Sequence, residues 1–356
     1  MELEEIIINH IRQQGPISFR DYMHMCLYYP GKGYYSSGTH PVGWQGDFYT
    51  SCTLTPAFGM AIARQVEELW KLLGCKQFTL VECGGGTGKL CSGIMQYLHR
   101  NTALYNNLRY CIIDQVIPGK TEDSAFGCKV ERFSSLAALP YKIDCVISNE
   151  LLDNFAVHRV VMQQQLMEVY VDYQNGFREV WKPAGEELKA YFTGLSIELP
   201  QGYCAEVNLQ ARDWLNSVGN SLEQGYVLTL DYGYPGSDLY NASRRMGTLV
   251  CYHQHLVSDN FYHHIGRQDI TAHVNFSALE KWGNEQGLHV RGFTDQASFL
   301  KRLGFEQILA DRTLCGFLPF TKQALLKYIL MQDLGRKIMV LLQGKNVPAV
   351  PLLGLG

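Results

Sequence analysis

The 356-residue chain contains no apolar run approaching the ~20 residues that span a bilayer, so no membrane-crossing helix is expected. It has no excess of basic charge. The 31 Lys and Arg against 34 Asp and Glu leave a formal net charge of -3, which argues against the broad positive field of a nucleic-acid binder. Its eleven cysteines include no Cys-x-x-Cys pair and no Cys/His group at zinc spacing, so neither a metal site nor a disulfide framework is expected, and they read as reduced intracellular thiols. The start, MELEEIIINHIRQQG, is acidic and breaks at Gly15-Pro16, which opposes both a secretory signal and an Arg-rich transit leader and makes the cytoplasm the expected location. Internal repeats and low-complexity runs are missing too. An oligomer is compatible with all of this.

From Phe78 onward, short and continuously apolar segments alternate with helical ones, the pattern of a parallel sheet covered on both faces. The candidate strands are FTLVEC ending at Cys83, RYCIID at Asp114, CKVERF at Phe133, DCVISNE at Glu150, YVLTLDYG at Gly233, then LHVRGF and KIMVLLQG: seven in all. Helical spacing marks 275–287 and stretches near 297–303 and 322–334. Residues 1–74 read as a mainly helical region enclosing an aromatic loop, YYPGKGYYSSG. Residues 75–344 read as the core, with an insert near 158–222, and 345–356 as a loosely held tail. Within the insert, 158–181 alternates and turns at Asn175-Gly176, giving a hairpin or meander, and 206–222 suits an amphipathic helix. The aromatic loop reads either as a lid hinged at Gly31 and Gly33 or as a packing loop.

VECGGGTGKL follows the first strand. An ATP-type phosphate loop needs a glycine where Cys83 stands and a hydroxyl where Leu90 stands; a dinucleotide turn needs a glycine where Lys89 stands. The pattern that fits is acidic-x-Gly-x-Gly-x-Gly, met by Glu82, Gly84, Gly86 and Gly88, which suits S-adenosylmethionine because bare backbone lets an aminoacyl nucleoside lie close. A ligand-free structural turn and a nicotinamide enzyme are the competing readings.

Ligands of open parallel sheets gather outside the carboxyl ends of the strands, so strand-terminal residues are the candidates. Asp114 ends the second strand, where a carboxylate can accept from both ribose hydroxyls. Asn149 and Glu150 end the fourth and would face the reacting methyl group; Asp153 follows, with helix capping as its competing role. Asp47 lies in GDFYTS (46–51) and His273 in QDITAHVNF, each before a probable helix.

Taken in order, GPISFRDYM, YYPGKGYY, GDFYTS, the glycine turn, NELLDNFAVHRV, LDYGYP and QDITAHVNFSAL resemble the MidA-like methyltransferases nearly end to end. The resemblance implies an α/β class I S-adenosylmethionine fold, a Rossmann-like seven-stranded sheet with helices on both faces. It also implies methylation of an arginine in a protein substrate, places Asn149, Glu150 and Asp153 in one signature, and places His273 and Asn275 in another. Two departures stand out: Cys52 to Thr55 replace a Pro-Glu-Ile-Ser run, putting Thr53 where a carboxylate is usual, and Asp114 replaces a Glu. On this basis Glu150 is expected to clamp the guanidinium, with Asp47 or Asp153 as a second acid and His273, titrating near neutral pH, orienting the clamp or taking the proton. A catalytically silent cofactor-binding assembly protein and a small-molecule methyltransferase are the alternatives.

Overall fold

The computed structural model describes residues 1–38, 46–47, 49–115, 125–126 and 129–356. Phe48 of GDFYTS and Cys128, the expected start of a strand, lie outside the described residues. The chain divides into two compact units: Met1–Phe48, Leu152–Trp214 and Gly233–Leu279 form one, and Tyr49–Leu151, Leu215–Tyr232 and Glu280–Gly356 form the other.

The second unit is built on the expected sheet. Its strands are β1 (Phe78–Cys83), β2 (Leu108–Ile113), β3 (Val130–Phe133), β4 (Cys145–Asn149), β5 (Gly225–Tyr234), β6 (His289–Asp295) and β7 (Ile338–Lys345), in the spatial order β6-β7-β5-β4-β1-β2-β3. β1 to β5 run parallel, and β7 is antiparallel to both its neighbours. All six residues of β1 are buried, as expected for a central strand covered on both faces. Register sets up the chemistry: Cys83 pairs with both Ile113 and Ser148, and Asn149 pairs with Leu230, so the chain leaves β1, β2 and β4 on one edge of the sheet.

Helix α1 (Pro56–Leu72), read from sequence as part of the N-terminal region, belongs to this unit. Thr55 caps it through the N–H of Ala57, and Pro56 occupies the first turn, where its missing donor costs nothing. It crosses α2 (Lys89–Leu98) at Gly59 and Gly93, so closely that a Cβ on Gly59 would stand 2.9 Å from the Gly93 Cα. The C-terminal residues are not a loose tail. Leu352 is buried, the Leu353 N–H donates to Glu68 (2.8 Å), and the Gly354 N–H donates to Gln65 (3.0 Å), so α1 supplies the acceptors that tie the terminus down.

The first unit is an antiparallel assembly. His158–Met162, Leu166–Tyr173 and Phe177–Pro183 form the expected meander, and its last turn uses positive φ at Asn175 and Gly176. Helix Leu3–Gln14 buries Leu3, Ile7 and Ile11 in this unit's core, so the acidic start of the chain is a structural helix. Glu206 and Val207 extend a strand, Cys204–Val207, and the expected helix begins later, at Leu209. A small sheet over Val250–His253, Leu256–Ser258 and Asp269–Thr271 has no counterpart in the sequence reading, because strands of three or four partly polar residues carry no readable period.

The aromatic loop is packed. Tyr34 is 1% exposed, the N–H groups of Tyr34 and Tyr35 donate to Cys26 and Leu27 carbonyls (both 2.9 Å), and a Cβ on Gly33 would lie 2.5 Å from the Tyr29 nitrogen. Gly33 thus allows a close approach of backbone to backbone, a tighter role than the expected hinge.

Candidate active site

β1 delivers the chain into the glycine turn, whose three alternate glycines all adopt positive φ: +76° at Gly84, +47° at Gly86 and +81° at Gly88. Their surroundings differ. A Cβ on Gly84 would lie 2.7 Å from Leu151 Cδ1, and one on Gly85 2.6 Å from Ile112 Cγ2, whereas the space beyond Gly86 is open within 4 Å. A side chain at Gly84 or Gly85 would thus displace Leu151 or Ile112, whereas Gly86 presents bare backbone to space left open by the described residues.

The acids around the turn hold it in place. Glu82 is 3% exposed beneath it and accepts from the Tyr110 hydroxyl at 2.6 Å, while Asp114 Oδ2 accepts the Gly86 N–H at 2.9 Å. Glu150 sits at the end of β4 with φ of +50°, a conformation that strains a non-glycine residue and recurs at functional sites. Its Oε1 accepts from the Ser51 N–H (2.8 Å) and from Asn149 Nδ2 (3.2 Å). Enclosure by protein raises its carboxyl to about 7, an effect that the Ser51 bond opposes and the nearby Asp231 charge reinforces.

Ser51 and Asp231 were not among the sequence candidates. Asp231 is fully buried and its Oδ2 accepts the Leu151 N–H at 3.1 Å, fixing the backbone just after Glu150. Its position as an acid within an apolar strand, in LDYGYP, was the available signal. The Ser51 N–H contact is made by the backbone, which no residue pattern announces, and the Ser51 side chain also acts on the Glu150 carboxylate. Thr53 completes the picture: its hydroxyl accepts the Thr50 N–H at 3.0 Å, closing a capping box around the short helix Ser51–Leu54. At this position Thr53 can perform the capping function of the usual Glu, so the departure preserves the helix start that presents Ser51 to Glu150.

Asp47, Asp153 and His273 belong to the first unit. The Asp47 carboxylate accepts from the Tyr34 hydroxyl (2.9 Å) and the Gln254 N–H (2.6 Å). Asp153 lies in a buried single turn, and its backbone carbonyl accepts the Ala272 N–H (2.9 Å), which brings it beside the His273 segment. Burial, and then the positive charge of Arg244, lowers His273 to about 4, below the near-neutral titration expected from sequence. Its buried Nδ1 has no hydrogen-bond partner among the described residues. Asn275 donates to the Tyr191 hydroxyl (2.8 Å) and caps the following helix at Ala278 (3.2 Å).

The second unit fits an aminoacyl nucleoside on two counts. Among the described residues, nothing stands within 4 Å of a Cβ built on Gly86, and the buried Asn149 Oδ1 has no partner, leaving an acceptor ready for an amino group. The Nδ2 bond to Glu150 sets this amide orientation when the carboxylate is ionised, since a flip would oppose two oxygens. Among the described residues, no group of His, Cys, Asp and Glu could hold a metal, the ten cysteines are free, and no helix is long and apolar enough to cross a membrane.

Comparisons with known proteins agree with this geometry. Residues 61–294 match the family described as S-adenosyl-L-methionine-dependent methyltransferase. The protein arginine methyltransferase NDUFAF7 homolog, mitochondrial, of Caenorhabditis elegans is 26% identical over 372 residues, covering 94% of this chain and 84% of that protein. The Drosophila melanogaster protein of the same name is 25% identical over 339 residues, covering 84% and 75%. A solved structure from Burkholderia thailandensis, bound to S-adenosyl-homocysteine, is similar with a TM-score of 0.88 and 29% identity, covering 99% of this chain and 94% of that one. The expected cytoplasmic location is overturned by the two animal relatives, both named mitochondrial. A transit leader is a removable segment, so an acidic helix that packs into a core carries no information about compartment.

Proposed function

The chain belongs to this family of S-adenosyl-L-methionine-dependent methyltransferases, and on that premise we propose that its acceptor is an arginine side chain of a protein. Glu150 carries the proposal: a strained, enclosed carboxylate at the edge of the sheet where β1, β2 and β4 end. The animal relatives named protein arginine methyltransferases support it.

In this reading Gly86 and Asn149 would hold the aminoacyl end of the cofactor and Asp114 would accept from its ribose, with Glu82 supporting the turn from below. When bound, S-adenosylmethionine supplies an electrophilic methyl carbon, activated by its own sulfonium. The chain must then orient a poor nucleophile. A guanidinium is charged at any ordinary pH and its lone pairs are delocalised. Glu150 accepting two N–H bonds along one edge fixes its plane and draws positive charge toward the carboxylate, leaving the opposite nitrogen to attack. Ser51 and Asn149 keep the carboxylate aimed. Transfer would exchange the methyl carbon's bond to sulfur for one to nitrogen, the neutral thioether leaving with the electron pair, and the methylated guanidinium would shed one N–H proton. His273, in the first unit, is neutral at physiological pH and its buried Nδ1 has no hydrogen-bond partner among the described residues, which suits a proton or hydrogen-bond acceptor.

Transfer of a labelled methyl group into lysate proteins, followed by mapping of the modified side chain, tests the acceptor. Arginine is expected; lysine or glutamine modification would overturn it.

A further inference from the structure

Helix α3 (Phe320–Tyr328) is apolar on two faces. The inner one is closed, with Leu326 at 2% exposure and Ile329 and Leu330 buried just beyond it. The outer one is open: Phe320 is 84% exposed, Leu325 49% and Tyr328 62%, and Phe317 in the preceding loop is 72% exposed. Phe320, Ala324 and Tyr328 follow one another at four-residue spacing, so they form a continuous stripe. A surface helix needs one apolar stripe to join its core. The second stripe has no use within this unit.

Two exposed cations flank the aromatic rings of the stripe. Arg312 lies over the Phe317 ring at 5.2 Å, and neither Arg312 nor Lys322, both exposed, makes an ion pair among the described residues. Arg100 reaches the same segment through the Thr313 hydroxyl (2.8 Å). Of the neighbouring acids, Glu306 is paired with Lys327 at 2.8 Å, and Asp311, which keeps its charge, is turned to the N–H and hydroxyl of Thr313.

We propose that this face docks on an anionic lipid surface, with Phe317 and Phe320 entering the acyl boundary and Arg312 and Lys322 at the headgroups. Projecting aromatic rings flanked by long basic side chains match the layering of such a surface, apolar within and negatively charged at its rim. A second copy docked through the same face is a poorer fit, because a two-fold contact would gather the unpaired cations of both copies around one axis.

The test is flotation of the full chain with vesicles of phosphatidylcholine alone and of phosphatidylcholine with phosphatidylglycerol. Binding is expected to the anionic vesicles, weakening as salt rises. The Phe317→Ser/Phe320→Ser double variant should lose affinity by tenfold or more, on the order of what burying one such ring supplies, and Lys322→Glu by at least about fivefold. Trp fluorescence of Phe320→Trp should shift to the blue with anionic vesicles only. All these side chains are exposed, so each variant should keep the parent's unfolding midpoint, and Lys322→Glu provides a readout that leaves the apolar stripe intact. The proposal fails if the chain does not float at low salt, or if the double variant floats as well as the parent. A concentration-dependent dimer abolished by the double variant would also overturn it, by assigning the face to a second copy.

Discussion

The backbone N–H of Ser51 donates to Oε1 of Glu150 at 2.8 Å across 99 residues of sequence. The start of a four-residue helix thus stabilises the ionised form of a carboxylate whose surroundings favour the neutral one. The two effects leave Glu150 near 7, where a modest change in environment decides its charge.

Glu150→Gln should retain cofactor affinity and abolish methyl transfer, measured by calorimetric titration beside a labelled-methyl assay. Full turnover in the variant would remove Glu150 from the mechanism. The parent's kcat/KM should fall on the acid side of about pH 7 as the clamp is protonated. Stability should show the opposite trend. The folded-state value lies above the ordinary 4.5, so the contribution of this group is fully present below about 4.5 and is lost as pH rises through about 7. Glu150→Gln should therefore be more stable than the parent at pH 8, by on the order of 1 kcal/mol, and no more stable at pH 4.

Two glycine substitutions separate packing from ligand binding. Gly84→Ala forces a Cβ against Leu151 at a positive φ and should cost ~2–4 kcal/mol of stability. Gly86→Ala meets no neighbour and should cost only ~1–2 kcal/mol, yet lose cofactor affinity. Urea unfolding and cofactor titration read the two effects, and unchanged affinity in Gly86→Ala would place the ligand elsewhere.

Removing the Asp114 carboxylate, as in Asp114→Ala, should weaken cofactor binding by ~10- to 100-fold, the worth of a charge-assisted hydrogen bond. The Gly86 N–H also loses its partner, so the turn should gain hydrogen-exchange rate at that amide. Affinity within twofold of the parent would count against a ribose contact.

Thr53→Ala opens the capping box beside Ser51 and should cost ~0.5–1 kcal/mol, while Thr53→Glu should restore the loss. Rescue of both stability and turnover by the Glu variant is the expected pattern. A Thr53→Ala protein indistinguishable from the parent would show that the helix start does not depend on the box.

The imidazole of His273 should remain neutral down to about pH 4 by NMR titration, because burial and Arg244 disfavour its cation. Its folded-state value lies below the ordinary 6.5, so stability should fall as pH drops from 6.5 through 4. In His273→Ala this acid sensitivity should diminish. A titration midpoint near 6.5 would remove the basis for treating it as a neutral acceptor.

The second unit was largely legible in advance. Its inner strands β1, β4 and β5 coincide with apolar runs, since a strand buried on both faces must be apolar throughout and so marks itself in the sequence, whereas the edge strands β3 and β6 are half-buried and carry charged residues. The glycine turn, Asp114 and Asn149-Glu150 followed from those strand ends. The three-stranded sheet at 250–271 did not, because its short, partly polar strands carry no readable period, and neither did the docked C-terminus, whose partners Gln65 and Glu68 lie far along the chain.

Local period and spacing by themselves marked a parallel sheet covered on both faces and a glycine turn suited to S-adenosylmethionine, since those depend on strand period and on glycine's access to positive φ. Only the tertiary structure decided what the acidic residues experience. Sequence placed Glu150 at a strand end; the fold brought the Ser51 N–H to it, set Asp231 nearby and enclosed it, and these together fix its charge. Likewise the structure lowered His273 and gave Asp47 to Tyr34 and Gln254. The reason is common to all three: protonation and hydrogen bonding depend on distances of a few ångströms between groups that are remote in sequence, and no local pattern encodes those distances.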